Sequence, residues 1–108
     1  MYKQKDLEVI RDIILTEIMP YQILLFGSYA KGLQNENSDL DLMILVENKI
    51  LRHDKLQLIY RLQKAFLGLN YKIDIILKNK DEFDRLKDYI GTVNYDVSQE
   101  GKVLWTKQ

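Results

Sequence analysis

The sequence predicts an α/β (α+β) domain in which a small mixed β-sheet is flanked by helices. Two long segments, residues 3–18 and 50–69, place apolar residues at helical spacing. Several shorter apolar runs are bounded by glycine or polar residues, as buried strands are. Helical and extended segments alternate along the chain, which is the order expected of helices packed on a sheet.

The predicted elements follow one another over all 108 residues, and we interpret 1–108 as a single domain. In order, they are a helix at 3–18, a strand at 22–26, a helical turn at 28–32, a polar loop at 33–38, a strand at 39–46, a helix at 50–69, a strand at 71–77, a helix at 79–90 and a strand at 102–106. We expect Asp81 to cap the helix at 79–90. The buried side of the longest helix is expected to comprise Leu56, Ile59, Leu62, Phe66 and Leu69.

The composition excludes several classes of protein. Sixteen basic and sixteen acidic residues give a net charge of zero, so direct nucleic-acid binding is not expected. The absence of cysteine rules out disulfides and thiolate metal sites and suits a cytoplasmic protein. The apolar runs are too short to span a membrane, and the first ten residues lack the apolar core of a signal peptide.

Two aspartates stand where the second strand begins, in DLDLMILV. Asp39 and Asp41 are two residues apart, so in a strand their side chains point to the same side, about 7 Å apart along the chain. Carboxylates placed in this way can bind a hard cation such as Mg²⁺. The alternative is that both are ordinary polar residues at the end of a strand.

A third acid lies in the predicted strand at 71–77. Asp74 stands between Ile73 and Ile75, where a carboxylate is costly unless it is paired or binds a metal. A salt bridge with Lys72 or Arg61 would satisfy it equally well. On a strand beside Asp41, it would complete a set of three acids able to hold two divalent ions about 4 Å apart.

A glycine turn follows the first strand. Backbone N–H groups at Gly27 and Ser28 could take phosphate oxygens, and the Ser28 hydroxyl adds a donor. The alternative is a plain strand-to-helix turn capped by the serine. A P-loop is excluded because Leu33 and Gln34 follow Gly32, where that motif requires lysine and then serine or threonine.

The chain resembles the nucleotidyltransferases of the DNA polymerase beta superfamily in three segments: GSYAKG, the following DLDL and the later KIDIIL. Its length is similar to that of the minimal nucleotidyltransferase (MNT) subgroup. The resemblance implies that Gly27 and Ser28 bind the triphosphate. It also implies that Asp39, Asp41 and Asp74 are the catalytic, metal-binding acids that hold two Mg²⁺ ions. Family members often have arginine where this chain has Lys31.

The resemblance further implies an enzyme that transfers AMP from ATP to a hydroxyl and releases pyrophosphate. MNT proteins of this size pair with a HEPN-domain ribonuclease toxin, and the antitoxin AMPylates a tyrosine of the toxin. The expected partner is therefore a HEPN toxin in a cytoplasmic hetero-oligomer. Two alternatives stay open: an adenylyltransferase acting on a small, antibiotic-like molecule, and a non-catalytic module that neutralises a toxin by covering it.

Overall fold

Four strands form one mixed sheet flanked by five helices in the computed structural model, which describes residues 2–35 and 37–108. None of the helices in these described ranges is long and apolar enough to cross a membrane. The elements are α1 (Gln4–Glu17), β1 (Gln22–Phe26), α2 (Gly27–Lys31), β2 (Leu40–Val46), α3 (Arg52–Gly68), β3 (Ile73–Asn79), α4 (Lys80–Leu86), α5 (Val93–Glu100) and β4 (Lys102–Thr106).

The strands lie in the order β3-β2-β1-β4. β1 is antiparallel to both β2 and β4, whereas β2 and β3 are parallel. A parallel pair needs a crossover connection, and α3 supplies it between β2 and β3. The predicted small mixed sheet flanked by helices is therefore confirmed.

Alternate residues of β2 face two different layers of the core. Leu40, Leu42 and Ile44 pack with α1 and α3, whereas Met43 and Leu45 pack with α4 and α5 on the other face. Because β2 is covered on both faces, it is apolar from Leu42 onward, as predicted for a central strand.

The predicted buried side of α3 is partly wrong. Leu56 is 54% exposed and Leu69 is 49% exposed, whereas Leu58 is 4% exposed and packs in the core with Leu62 and Phe66. Leucines occur on more than one side of this helix, so the spacing allowed more than one apolar stripe. Packing against the sheet selects the stripe that contains Leu58.

The predicted helix at 79–90 ends at Leu86, and α5 was not predicted. The Thr92 hydroxyl donates to the carbonyl of Tyr89 (2.8 Å) and accepts from the Tyr95 N–H (3.1 Å). One side chain therefore closes the turn after α4 and caps α5. A threonine following Gly91 was an available signal, but Val93 and Val97 alone give too weak an apolar pattern over eight residues.

Two further boundaries differ from prediction. Asn79, rather than Asp81, caps α4, because its side chain accepts from the Asp81 and Glu82 N–H groups at 3.0 and 3.3 Å. β3 runs from Ile73 to Asn79, two residues later than the predicted strand at 71–77. Asp74 is consequently the second residue of the strand rather than a residue in its middle.

The predicted polar loop at 33–38 returns the chain from α2 to β2. Its residue 36 lies outside the described residues. Ser38 and Asn35 are linked twice, by the Ser38 N–H to the Asn35 carbonyl (3.0 Å) and by the Asn35 N–H to the Ser38 hydroxyl (2.9 Å). This local turn delivers the chain to Asp39 at the edge of the sheet.

The stripe that α3 buries can be tested with two leucines two residues apart. We expect Leu58→Ala to lower the free energy of unfolding by about 2–5 kcal/mol, because it leaves a cavity in the core. Leu56→Ala is the matched control and should change it by about 0.5 kcal/mol or less, since Leu56 lies at the surface. Urea unfolding of both variants measures this difference, and equal losses would contradict the observed packing.

Candidate active site

Three segments meet at one edge of the sheet: the end of β1, the start of β2 and the start of β3. Phe26, the last residue of β1, pairs with Asp41 across the antiparallel register. Asp41 in turn pairs with Asp74 across the parallel register. The fold therefore places a turn and two acids side by side, although they are far apart in the sequence.

The carboxylates of Asp41 and Asp74 lie on the same face of the sheet. Successive strand residues point to opposite faces. Asp41 therefore shares the face of Met43, and Asp74 shares the face of Ile76, which both pack in the layer of α4 and α5. The register thus places Asp74 on the face of Asp41, whereas it says nothing of Asp39, which lies outside β2.

The surroundings of Asp41 disfavour its negative charge. Burial raises the pKa of the Asp41 carboxyl above its ordinary value, and the charge of Asp74 and a hydrogen bond between the two carboxyl groups raise it further. The charge of Asp39 adds a smaller contribution in the same direction. Burial and neighbouring like charges both make the ionised form of Asp41 less favourable than that of an isolated aspartate.

Asp39 is exposed and immediately precedes β2. Over residues 2–35 and 37–108, no group of three or more histidine, cysteine, aspartate or glutamate side chains lies close enough together to hold a metal ion. The structure thus brings Asp41 and Asp74 together, with Asp39 near enough for its charge to act on Asp41. The set of three metal ligands stays a prediction.

The predicted surroundings of Asp74 were wrong on one point. Asp74 is exposed, so its charge is not buried among the isoleucines that flank it. The suggested ion pair with Arg61 is not formed, because Arg61 binds Glu17 at 2.8 Å. Among the described residues, Asp74 makes no salt bridge with Lys72 either. Asp74 instead lies beside Asp41, with which it pairs across the parallel register.

Gly27 is required by the close approach of the turn to Asp41. Its φ is +69°, a conformation that side chains other than glycine rarely adopt. A Cβ atom at this position would lie 2.1 Å from Asp41 Oδ2. The glycine therefore lets the backbone pass directly against the carboxylate of Asp41. A larger residue at this position would displace that carboxylate.

Ser28 does not cap α2. The N-cap position is Phe26, which makes no side-chain cap, and Ser28 is the second residue of the helix. The Ser28 hydroxyl forms no hydrogen bond to any residue in the described part of the chain, whereas its carbonyl accepts from the Leu33 N–H at 2.9 Å. The hydroxyl is thus available to a ligand. Lys31, by contrast, is paired with Glu100 at 3.0 Å.

The donor set fits a hard divalent cation. The two paired carboxylates supply oxygen ligands of the kind that hard cations prefer. Burial and the neighbouring charge of Asp74 raise the pKa of Asp41, and a bound cation would offset both effects. A cation-binding role is therefore compatible with Asp41 and Asp74 as they stand. Asp39 would have to turn toward them to complete the set.

Two cavities lie at opposite ends of the sheet. One of about 510 Å³ lies where β2 and β3 end and contains none of the predicted site residues. The other, about 320 Å³, adjoins Asp39 and includes Tyr2, Tyr71 and Lys72. We place the candidate active site at the end of the sheet with the smaller cavity. The acids and the glycine turn lie there, and none of them lies beside the larger cavity.

The N-terminal segment also reaches this end of the sheet, which the sequence analysis did not predict. Tyr2 lies against Tyr29 and Tyr71, with ring centroids 5.6 and 5.5 Å away. Tyr29 lies inside the GSYAKG segment, but no motif links it to Tyr2 or Tyr71, and their separation in sequence gives no periodic signal. Only the folded chain brings them together.

Comparisons with known proteins agree with this geometry. The family described as "Nucleotidyltransferase domain" matches residues 7–97. A search of curated proteins found no match. Among solved structures, a toxin–antitoxin complex with AMP-PNP superposes with a TM-score of 0.68 and 26% identity, covering 95% of this chain and 75% of that one.

Two further structures share the fold. The toxin–antitoxin MntA–HepT gives a TM-score of 0.62 at 22% identity, covering 98% of this chain and 74% of that one. A structure of a tri-AMPylated Shewanella oneidensis HEPN toxin in complex with an MNT antitoxin gives a TM-score of 0.60 at 21% identity. The match covers 97% of this chain and 73% of that one. The polymerase-beta-like nucleotidyltransferase fold is therefore confirmed.

The contact between Gly27 and Asp41 predicts unequal effects of two alanine substitutions. Gly27 and Gly32 both have positive φ, but a Cβ at Gly32 would meet nothing within 4 Å. We expect Gly32→Ala to lower the free energy of unfolding by about 1–2 kcal/mol through backbone strain alone. Gly27→Ala should cost more, because its Cβ also collides with Asp41.

A double variant isolates that collision. Asp41→Ala removes the two closest contacts of the added Cβ, so it should reduce the cost of Gly27→Ala to that of Gly32→Ala. Urea unfolding of the four variants measures the difference. An unchanged cost in the double variant would show that Asp41 is not the obstacle.

Because the pKa of Asp41 is raised, removing its charge is expected to stabilise the fold by an amount that depends on pH. The folded chain binds more protons than the unfolded chain between the ordinary value of 3.8 and the raised value. Stability contributed by this group therefore falls as pH rises through that window, and the penalty is complete above it. Without divalent ions, Asp41→Asn should be more stable than the wild type at pH 7, with the advantage shrinking toward pH 4.

Urea midpoints measured at several pH values test this expectation. Asp88→Asn is the control, because Asp88 is exposed and forms no ion pair with a described residue. A loss of stability in Asp41→Asn that is the same at pH 4 and pH 7 would argue against crowded charges.

Proposed function

Because the chain belongs to the nucleotidyltransferase domain family, we propose that it transfers AMP from ATP to a hydroxyl group, with Mg²⁺ as cofactor. The proposed acceptor is a tyrosine of a partner HEPN ribonuclease toxin, which the chain inactivates as a cytoplasmic antitoxin. The observation that supports this most directly is the Asp41–Asp74 pair held against the Gly27 turn.

The residues proposed to hold Mg²⁺ are Asp39, Asp41 and Asp74. When bound, Mg²⁺ would offset the charge of the triphosphate and make the acceptor hydroxyl more acidic. The chain's own part is to present carboxylate oxygens on one face at the edge of the sheet. The register of β2 and β3 supplies two of them without any rearrangement.

The turn is proposed to hold the phosphates. The backbone passes beside Asp41 at Gly27, where no side chain intervenes, and the Ser28 hydroxyl makes no hydrogen bond to another described residue. Backbone N–H groups and a hydroxyl are suitable donors to phosphate oxygens. Nucleotide and acids would then lie within reach of each other.

The reaction forms one bond and breaks one. The acceptor oxygen bonds to the α-phosphorus of ATP, and the bond from that phosphorus to the bridging oxygen breaks to release pyrophosphate. Asp74 is proposed to take the proton of the acceptor hydroxyl, since it is exposed and beside Asp41. Asp41, which is half-buried, would remain in place beside the turn.

The structural neighbours support a protein acceptor. The neighbour at 26% identity is a toxin–antitoxin complex with AMP-PNP, an adenine nucleotide. Another contains a tri-AMPylated HEPN toxin with its MNT antitoxin. We carry the partner class to this chain on that likeness and expect a hetero-oligomer.

A second candidate function is supported by the cavity beside Asp39. Its volume of about 320 Å³ is at the small end of the range for small-molecule pockets. Its lining includes two acids, Asp6 and Asp39, which would suit an acceptor that carries hydroxyl and amino groups. In that case AMP transfer would need no protein partner.

Mixing the chain with a HEPN-domain toxin, ATP and Mg²⁺ should raise the mass of the toxin by multiples of AMP. Asp41→Asn should slow this transfer about a hundredfold or more, because it removes a charge from the reacting site. Asp88→Asn, with the same change on an exposed helix-end segment, should transfer AMP at the wild-type rate. Intact-mass spectrometry measures all three.

Other outcomes separate the alternatives. Transfer to a small hydroxyl compound without the HEPN protein would favour the second candidate. Neutralisation of the toxin by Asp41→Asn without any mass gain would instead favour a non-catalytic module and contradict the proposed transfer.

A further inference from the structure

The hydroxyl of Tyr2 binds both backbone groups of one residue at the site's edge. It donates to the carbonyl of Lys72 at 2.9 Å and accepts from the Lys72 N–H. A phenol can donate and accept at once, so both bonds are compatible. Lys72 immediately precedes β3, and Asp74 is two residues further on.

The same carbonyl also ties Tyr2 to β2. The Leu40 N–H donates to the Lys72 carbonyl at 3.1 Å. Leu40 is the first residue of β2 and lies between Asp39 and Asp41. The Tyr2 hydroxyl therefore stands where the two acid-bearing strands first pair.

A third link joins Tyr2 to the glycine turn. The Tyr2 N–H donates to the Tyr29 hydroxyl at 2.9 Å, and the two rings meet edge to face. Tyr29 follows Ser28 in α2. Through Tyr2, the N-terminal segment thus contacts α2 and the start of β3 directly, and it reaches the start of β2 through the shared Lys72 carbonyl.

We propose that Tyr2 is a positioning residue, which clamps the starts of β2 and β3 so that their carboxylates stay together beside the Gly27 turn. The inference rests on the proposed function, since it concerns the same acids. It adds a residue that lies outside the glycine turn and the three acids and is far from them in sequence.

Repulsion between the acids explains why a clamp is needed at this point. Asp41 and Asp74 occupy the second rung of the parallel pair, and like charges directly opposite each other destabilise a sheet. Only the Leu40–Ile73 rung precedes them within the sheet, so the strands can separate from this end. The bond from the Leu40 N–H to the Lys72 carbonyl opposes that separation directly. The two bonds between the Tyr2 hydroxyl and Lys72 hold that carbonyl in place.

Contacts other than those of its hydroxyl surround Tyr2. Asp6 accepts from the Lys3 N–H and from the Tyr71 hydroxyl, both at 2.9 Å, at the start of α1. The Tyr2 ring packs edge to face on Tyr71. The ring of Tyr2 is therefore fixed independently of its hydroxyl, which allows the hydroxyl to be removed alone.

Tyr2→Phe removes the hydroxyl and retains the ring. Amide hydrogen exchange followed by NMR should show Lys72 and Leu40 exchanging about five- to tenfold faster, the factor that corresponds to one hydrogen bond. Amides at the opposite end of the strands, such as those of Leu45 and Lys78, should exchange as in the wild type. Unchanged protection of Lys72 and Leu40 would overturn the clamp whatever the chain's activity.

Tyr71→Phe is the matched control. It removes a hydroxyl from the same aromatic cluster, but that hydroxyl binds the Asp6 side chain rather than the backbone of a strand. Its effect on the unfolding midpoint is expected to be similar to that of Tyr2→Phe. It should leave the exchange of the Leu40 amide unchanged.

Calorimetric titration of ATP in the presence of Mg²⁺ connects the clamp to the site. Tyr2→Phe should weaken binding about fivefold or more relative to Tyr71→Phe, because the acids are held less closely. Equal binding by the two variants would overturn the positioning role, even if exchange at Lys72 and Leu40 became faster. Absence of binding by the wild-type chain would count against the proposed function instead, and the exchange rates would then decide the clamp alone.

Discussion

The parallel register between β2 and β3 is the constraint on which the site depends. It sets Asp41 opposite Asp74, and the antiparallel register with β1 sets Phe26 opposite Asp41. Because the side chains of a strand alternate in direction, a slip of one residue would send one carboxylate into the other face of the sheet. The two apolar layers on either side of β2 make such a slip costly, so core packing fixes the chemistry at the edge.

The site concentrates features that would each weaken an ordinary fold. Two like charges face each other, a glycine adopts a positive φ, and the turn passes against a carboxylate with no room for a side chain. Residues held in costly arrangements persist only where the surrounding structure determines them, and such arrangements cluster at functional sites. Here the surrounding structure is a buried central strand together with the tyrosine contacts of the N-terminal segment.

The two ends of the sheet differ in what they offer chemistry. At the end with the larger cavity, charged residues that line the cavity are paired: Lys78 with Glu82 at 3.7 Å, and Glu47 with Lys107 at 2.7 Å. At the other end, Asp41 and Asp74 crowd each other and no cation offsets their charge within the described residues. An uncompensated pair of acids raises the local concentration of cations, so this end of the sheet differs in its electrostatics from the end whose charges are paired.

The sequence by itself determined the helix–strand order up to β3, the central position of β2 and the pattern of glycine turn and acids. These follow from local apolar spacing and from residue types whose chemistry is specific. The family matched at residues 7–97 is the one that the pattern was predicted to indicate. Spacing could not choose between Leu56 and Leu58 on α3, nor detect α5, whose start depends on the Thr92 hydroxyl. Only the tertiary structure paired Asp41 with Asp74, left Asp74 exposed, and brought Tyr2 to the start of both strands. Those contacts join residues far apart in the chain, and their geometry is fixed by strand register and by packing on both faces of the sheet, which local sequence does not encode.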